Sequence, residues 1–278
     1  NLNTKSVKRG QTIYYQVWLD TTKFDANNKD NIQTVGITDN YDEAKLDVKV
    51  SDIKAYDGKT GKDVTDKFNI SIANGVITAN LKDGFTKSLG DAENTQIIDT
   101  TKFEFGRYYK FVIPAKVSDG AYDGAEIENT AAQVVNYYNP TTKKTEKPEK
   151  PTEKRVNNVP IAIQLIFGKT LNGRQLKDKE FNFVLKDEAG KVLETVQNDA
   201  KGKVTFSTIN YGRDDLGKTF NYTVEEVKGT DTTVTYDNMK VNVTVKVIKP
   251  SADNQLSTVI SYATVGGNSY ESDDRIFD

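Results

Sequence analysis

Apolar and polar residues alternate with a period of two along most of the chain. Runs rich in Val, Ile, Thr, Tyr and Phe recur, such as QTIYYQVWLD (11–20), YYKFVIPAKV (108–117) and VNVTVKVI (241–248). Side chains on a strand point alternately to opposite faces, so these runs predict half-buried strands. Turn signals such as DGKTGKD, SDGAYDG and NDAKGK separate them. The pattern predicts an all-β chain of two tandem immunoglobulin-like antiparallel β-sandwiches, and a short helix is an alternative at DAENTQIID (91–99).

Two apolar rows continue into a charged residue. In NYTVEEV, the row that contains Val224 continues into Glu226, and in IAIQLIFGKTL the row that contains Phe167 continues into Lys169. Burying an unpaired carboxylate costs several kcal/mol or makes it hold a proton. Each charge alone is more simply explained as a salt-bridged or snorkelling side chain near the rim of a sheet. Together they predict a buried amine that faces a buried acid.

A proline-rich segment marks the domain boundary. The chain has 278 residues, which suggests about two domains. Residues 139–160, NPTTKKTEKPEKPTEKRVNNVP, carry four of the six prolines. One interpretation is an extended linker between domains, and the other is a hairpin whose tip is TTKKTEKPEKPT. We expect domains at 1–160 and 161–278, with an exposed Pro/Lys/Glu-rich loop at about 140–153.

The composition argues against several function classes. A net charge of −2, from 38 basic and 40 acidic residues, gives no electrostatic case for nucleic acid or an anionic membrane. The chain contains no histidine and no cysteine. Histidine-dependent hydrolysis, most zinc sites and disulfides are therefore not expected, and we predict no enzyme acting on an external substrate. No apolar stretch approaches the roughly 18 residues that a membrane helix needs.

The second half carries an ordered set of motifs. These are K-x-L-x-G-x-x-L, F-x-F-x-L, N-D-A-x-G-x-V-x-F, Y-T-V-x-E-V and V-T-Y-D, spread over 161–278. The set resembles the isopeptide-forming domain of streptococcal backbone pilins. In that family a first-strand lysine bonds covalently to an asparagine on the last strand, and a glutamate assists. The resemblance implies that Lys169 is the crosslinking lysine and Glu226 the assisting acid, in a single intramolecular reaction without turnover.

The acceptor of this crosslink has two interpretations. The family ends in Phe-x-Asn-x-Tyr, whereas the present sequence ends in IFD at Asp278. Either the acceptor is an asparagine directly after Asp278, or Asp278 itself is the acceptor. Alternation favours the first, because Asp278 is on the row of Ile276 rather than that of Phe277.

The first half resembles another crosslinked family. KSVKRGQTIYYQVWLDTTKF, VGITDNYDEAKLDV, GAEIENTAAQVVN and VNNVP resemble the C-terminal repeats of the streptococcal antigen I/II adhesins, over most of 1–160. Those repeats are also lysine–asparagine crosslinked, with an assisting aspartate. The resemblance implies Asp39 as the acid and Asn129 as the acceptor. The lysine either precedes Asn1 or is Lys5, and the plain alternative for Asp39 is a residue that caps a strand end.

The same resemblance raises the question of calcium, since antigen I/II repeats can hold it. DANNKDN (25–31) offers acidic and amide oxygens, but it lacks the glycine and distal glutamate of a helix-loop-helix site. A plain turn is the simpler interpretation. We expect no other cofactor.

The combined prediction is a structural and adhesive stalk segment of a Gram-positive surface adhesin. It would be extracellular, monomeric, stabilised by lysine–asparagine or lysine–aspartate isopeptide bonds, and anchored to the cell wall through a C-terminal signal outside this sequence. Its partner would be a host glycoprotein or another host or bacterial surface ligand, without nucleic acid or membrane insertion. The alternative is a glycan- or protein-binding module in which Trp18 and tyrosines form the contact surface and the crosslink is incidental.

Overall fold

The structure is a computed structural model, and it describes residues 5–24, 31–151, 154–249, 255–267 and 271–278. Within these ranges the regular structure consists of β-strands and four single turns of 3-10 helix. The strands pair almost throughout in antiparallel fashion, so the predicted all-β fold is confirmed. The 3-10 turns are Val50–Asp52, Thr65–Lys67, Asp83–Phe85 and Arg213–Asp215.

The chain divides into two compact units. The first comprises residues 1–122 and 126–159, and the second comprises residues 123–125 and 160–278. The short segment 123–125 joins the second unit because the Leu256 N–H donates to the Gly124 carbonyl at 3.2 Å.

Fourteen described strands form the first unit. The larger sheet has the order β1-β14-β11-β3-β7-β6, and β12 and β13 also pair with β11. The smaller sheet has the order β2-β10-β4, with β5 also paired to β10, and β8 and β9 form a separate hairpin. The strands are β1 Lys5–Ser6, β2 Thr12–Asp20, β3 Ile32–Tyr41, β4 Leu46–Val48, β5 Lys54–Asp57, β6 Phe68–Ala73, β7 Val76–Leu81, β8 Thr86–Ser88, β9 Gln96–Ile98, β10 Tyr108–Val117, β11 Glu126–Asn139, β12 Lys144–Glu146, β13 Glu149–Pro151 and β14 Arg155–Asn158.

The core of the first unit lies between its two sheets. Phe68 on β6 meets Phe111 on β10 with ring centroids 4.9 Å apart, and both rings are buried. Alternation decides which residues enter this layer, since Val17 and Leu19 on β2 are buried whereas Trp18 between them is exposed.

The second unit contains the remaining ten described strands. Its largest sheet has the order β18-β17-β21-β22-β23, a three-stranded sheet has the order β19-β16-β24, and β15 pairs with β20. Phe183 on β17 and Phe277 on β24 pack with centroids 5.2 Å apart, which joins the two larger sheets through the core. The strands are β15 Ile161–Ile163, β16 Ile166–Lys169, β17 Asn182–Asp187, β18 Val192–Gln197, β19 Lys203–Thr205, β20 Ile209–Tyr211, β21 Thr219–Glu226, β22 Lys240–Ile248, β23 Ser257–Val265 and β24 Ile276–Phe277.

The proline-rich segment differs from the expected loop at 140–153. After a turn in which the Asn139 side chain accepts the N–H groups of Thr141 and Thr142, the chain folds back as β12 and β13, and both pair antiparallel with β11. The long β11 supplies the pairing edge, and a strand can form beside it despite the prolines because Pro151 still offers a carbonyl to the ladder. The segment is thus a hairpin arm rather than a linker between units.

The helix considered at 91–99 is wrong. Asp91 holds a turn by accepting the Thr95 N–H at 2.7 Å, and Asn94 within it has a left-handed φ of 55°. The chain then continues as β9 and pairs with β8, which buries Ile97 and Ile98. A helix of fewer than ten residues is marginally stable, so the strand that buries both isoleucines is favoured over it.

Candidate functional site

Lys169 is the last residue of β16, between two neighbouring strands. On one side β19 follows a turn whose Gly202 carbonyl accepts the Lys169 N–H at 2.7 Å. On the other side β24 runs parallel to β16, with Lys169 in register with Phe277. The lysine backbone is therefore held from both sides, next to the final strand.

The Lys169 side chain meets Glu226 inside the second unit. Its Nζ donates to Glu226 Oε2 at 3.0 Å, and both side chains have 0% exposure. Glu226 ends β21, where it lies opposite Phe183 of β17. The Lys169 Nζ also lies 4.5 Å from the centroid of the Phe181 ring. The two charged residues on apolar rows are thus direct partners in a dry site.

Burial sets the protonation of the acid. The pKa of Glu226 is raised, chiefly by desolvation, although the Lys169 contact opposes this shift. Glu226 Oε1 is buried and has no hydrogen-bond partner among the described residues. If Glu226 is protonated, its Oε1 hydroxyl can donate a hydrogen bond, so one oxygen of the acid is available to a further group.

The adjacent Glu225 behaves in the opposite way. It faces the other side of β21, where it pairs with Lys186 and lies 3.4 Å from Lys240 Nζ. Its pKa is lowered, first by the Lys186 hydrogen bond. Strand alternation alone separates a surface carboxylate from a buried acid one residue away.

Asp278 lies on the opposite side of β24 from the lysine. Phe277 is fully buried, whereas Asp278 is exposed and its N–H donates to Asp237 Oδ2 at 3.0 Å. The structure therefore brings Lys169 and Glu226 together but directs the Asp278 side chain to the solvent face. A further residue in an extended strand would return to the face of Phe277.

The first unit contains a second buried polar pair. Asn129 Nδ2 on β11 donates to Asp39 Oδ2 on the neighbouring β3 at 2.9 Å. Asp39 is 0% exposed and Asn129 is 4% exposed. Burial raises the pKa of Asp39 to about 6, although the Asn129 hydrogen bond lowers it. Asp39 is therefore buried within β3 rather than capping its end.

This second pair is incompletely satisfied. Asp39 Oδ1 and Asn129 Oδ1 are buried without a partner among the described residues. Asn129 lines a groove of about 800 Å³ along β2, together with Tyr15 and Asn157. Asn157 Nδ2 donates to the Tyr15 hydroxyl at 2.9 Å, and burial raises the pKa of Tyr15 to about 12. Two open acceptor oxygens beside a groove suit a donor such as an amine.

The position of Lys5 is described for its backbone alone. It lies in β1, which runs parallel to β14 with Lys5 in register with Asn157. Asn157 in turn pairs with Ile127, two residues before Asn129 on β11. The Lys5 backbone is thus two strands away from the strand that carries the amide, and its side chain lies outside the described part.

The suggested calcium segment falls mostly outside the described residues, which exclude 25–30. Elsewhere in the described ranges, no group of three His, Cys, Asp or Glu residues could hold a metal ion. The same ranges contain no helix that is long and apolar enough to cross a membrane.

Sequence reasoning missed four residues around these sites. Phe181 covers Lys169, Asp237 holds the end of β24, and Tyr15 and Asn157 border Asn129. Asp237 is the last residue of the V-T-Y-D motif, so the sequence could have indicated it as a candidate site residue. The other three become neighbours only through strand pairing between distant segments.

Comparisons with known families agree with the two-unit architecture. The family described as "Cell surface antigen I/II C2 terminal domain" matches residues 1–159. The family described as "Spy0128-like isopeptide containing domain" matches residues 165–277. Aggregation substance of Enterococcus faecalis is 26% identical over 154 residues, which are 49% of this chain and 11% of that protein. The chain therefore aligns with about a tenth of the length of that relative.

Solved pilin structures are also similar. The major pilin subunit BcpA*(D312A) of Bacillus cereus is 17% identical, with a TM-score of 0.44 over 98% of this chain and 65% of that chain. A C-terminal fragment of the major pilin GBS80 of Streptococcus agalactiae is 12% identical, with a TM-score of 0.42 over 98% of this chain and 90% of that chain.

One matched family is a domain of a cell surface antigen and the other is an isopeptide-containing domain, which supports a structural role for this chain in an extracellular surface adhesin or pilin-like protein. Residues 165–277 are similar to the Spy0128-like isopeptide containing domain, and through residues 1–159 the chain belongs to the cell surface antigen I/II C2 terminal domain family.

Proposed function

We propose that this chain is a self-crosslinking stalk segment of a cell-wall-anchored adhesin. The observation that carries the proposal is the contact between Lys169 Nζ and Glu226 Oε2 at 3.0 Å, with both side chains fully buried. A buried ion pair is weak evidence for stability alone, because desolvation offsets much of its attraction. Crosslinking, in contrast, requires burial, because removal from water favours the neutral forms of the lysine amine and the assisting acid.

The reaction would proceed by aminolysis of a side-chain amide. A proton passes from the lysine ammonium to the Glu226 carboxylate, which leaves a neutral amine and a neutral acid. The Lys169 nitrogen attacks the carboxamide carbon of an asparagine while the Glu226 hydroxyl donates to the carbonyl oxygen. The new bond joins Nζ to that carbon, the original carbon–nitrogen bond breaks, and ammonia leaves with the transferred protons. If the acceptor is Asp278, water leaves instead.

A related bond is proposed for the first unit. Asp39 would be the assisting acid and Asn129 the acceptor, since their side chains already share a hydrogen bond of 2.9 Å in a buried position. The raised pKa of Asp39, about 6, supports a role as a proton carrier. The amine would come from Lys5 or from a lysine that precedes Asn1.

Such bonds would stabilise the stalk by closing long loops. A bond from Lys169 to the end of β24 ties almost the whole second unit into one ring. By analogy with a disulfide that closes about 100 residues, this contributes about 4–5 kcal/mol in the chain-entropy model. The stalk would present adhesive regions of the full protein at the bacterial surface, anchored through a C-terminal signal.

Intact-protein mass spectrometry tests the proposal. A chain extended at both ends by its natural flanking sequence should be lighter by one ammonia for each bond formed. Lys169→Ala and Glu226→Ala should each restore one ammonia, and Glu225→Ala, which changes the neighbouring surface acid, should leave the mass loss intact. An unshifted mass for the extended chain would refute the crosslink.

A second candidate function is binding of a host or bacterial surface ligand by the first unit. Exposed Trp18 packs edge-on against exposed Tyr108 at 6.1 Å, and Lys110 Nζ lies 5.8 Å from the Trp18 ring and 5.4 Å from the Tyr56 ring. Exposed aromatic rings beside a cation are suited to stack on sugars or protein side chains. Glycan arrays should then show binding by the full chain that Trp18→Ala removes and that Tyr122→Ala, at another exposed tyrosine, leaves unchanged.

A further inference from the structure

We propose that Asp237 is a positioning residue that holds the end of β24 in place for crosslinking. The inference rests on the proposed function and concerns a residue whose carboxylate contacts the backbone of Asp278 and not the Lys169 amine. Asp237 Oδ2 accepts the backbone N–H of Asp278 at 3.0 Å. This is a charge-assisted hydrogen bond to the residue that directly follows β24.

The other oxygen of the same carboxylate fixes Asp237 to the core. Asp237 Oδ1 accepts the N–H of Met239 at 2.8 Å, and Met239 is 1% exposed. Met239 directly precedes β22, which pairs with β21 on one side and β23 on the other. One carboxylate therefore connects the residue after β24 to the residue before β22.

The opposite edge of β24 is bound by β16. The Thr170 N–H donates to the Phe277 carbonyl at 2.8 Å, and the Gly168 N–H donates to the Arg275 carbonyl at 2.9 Å. The end of β24 thus has hydrogen bonds on both sides, one set from the strand that carries the reacting lysine and one from Asp237. This two-sided attachment fixes the direction in which the chain leaves Phe277.

That direction matters for the reaction. A residue after Asp278 returns to the face of Phe277, which is in register with Lys169. Aminolysis requires the amine and the carbonyl carbon about 3–3.5 Å apart, and a displacement of about 1 Å costs about a hundredfold in rate.

The test measures the rate of crosslinking in the full chain lengthened by an asparagine directly after Asp278. Ammonia loss is followed by intact mass after refolding. Asp237→Ala should slow the reaction about tenfold, the effect of losing a charge-assisted hydrogen bond. Asp237→Asn keeps only one accepting oxygen for the two N–H groups of Asp278 and Met239, so its rate should also fall below that of the parent chain.

Asp231 provides the matched control in the same connecting segment. Its carboxylate accepts the Thr233 N–H at 2.9 Å and the Thr233 hydroxyl at 2.6 Å, as a turn cap. Asp231→Ala should leave the rate unchanged. Equal rates for Asp237→Ala and Asp231→Ala would overturn the positioning role.

Hydrogen exchange separates positioning from general loss of structure. In a Lys169→Ala background, where the proposed crosslink is absent, Asp237→Ala should raise the exchange rate of the Thr170 amide about tenfold without changing amides of β22. Unchanged Thr170 protection would also overturn the inference. If the lengthened parent chain itself loses no ammonia, the proposed crosslink fails independently of Asp237.

Discussion

Lys169 and Phe277 stand in register across the parallel strands β16 and β24. The buried Phe277 ring packs on Phe183, and Phe183 lies opposite Glu226 on β21. The amine, the acid and the final strand therefore share one side of the core. An acceptor at the end of β24, as proposed, would lie on this side of the core.

Loss of one member of the buried pair should destabilise the second unit strongly. Glu226→Leu leaves the Lys169 ammonium without its partner, and we expect a loss of about 3–5 kcal/mol in the free energy of unfolding. Replacing both residues by leucine should recover most of that loss, because no buried charge remains. The methyl signal of Met239, the only methionine and a buried residue of this unit, reports its unfolding in denaturant. A double variant as unstable as Glu226→Leu would contradict this account.

Asp39 should make the first unit less stable as pH rises. Its folded-state pKa of about 6 exceeds the ordinary value of 3.8, so the folded unit binds the proton more tightly than the unfolded chain. The stability linked to this proton is complete below about pH 4 and is lost as pH rises through about 6, by about 3 kcal/mol at most.

Fluorescence of Trp18, the only tryptophan, reports unfolding of this unit. Asp39→Asn should abolish the pH-dependent loss between pH 4 and 7, whereas Asp47→Asn, at an exposed carboxylate on β4, should preserve it. A persistent loss of the same size in Asp39→Asn would assign it to another group.

Phe277 should anchor the final strand. Its ring is fully buried, so Phe277→Ala should cost about 3–5 kcal/mol and expose the Thr170 amide to exchange. The adjacent Ile276 is 51% exposed, and Ile276→Ala should change stability by less than about 1 kcal/mol. Equal costs for the two truncations would show that β24 is not held by its inward side chain.

Gly202 should be required for the backbone position of Lys169. It has a left-handed φ of 82°, and an added Cβ would lie 2.1 Å from the Lys169 carbonyl oxygen. Gly190 has a similar φ of 79° in another turn, with nothing within 4 Å of an added Cβ. Both alanine variants place a side chain at an unfavourable φ. Gly202→Ala should lower the free energy of unfolding by about 1–3 kcal/mol more than Gly190→Ala, because its Cβ clashes with the Lys169 carbonyl. Met239 methyl signals in a denaturant series give the comparison, and equal costs would rule out the close approach.

The strands could be predicted from the sequence because the alternation of apolar and polar residues that defines a strand is visible within a short segment. A period of two assigned Lys169 and Glu226 to apolar rows, and the structure joins these residues directly. A hairpin was one of the two interpretations of the proline-rich segment, but strands β12 and β13 were not predicted within its tip, because their pairing depends on the distant edge of β11 and their own residues are those of a loop. Phe181 and Asp237 were missed although they stand in the F-x-F-x-L and V-T-Y-D motifs, because their contacts with Lys169 and Asp278 depend on the packing of distant segments.

The parallel pairing of β16 with β24 has a mechanical consequence. These are respectively an early strand and the final strand described in the second unit. Force applied along the chain pulls the start of β16 and the end of β24 in opposite directions along their common axis. Parallel neighbours loaded in this way must shear, so the hydrogen bonds between them share the load rather than opening one after another.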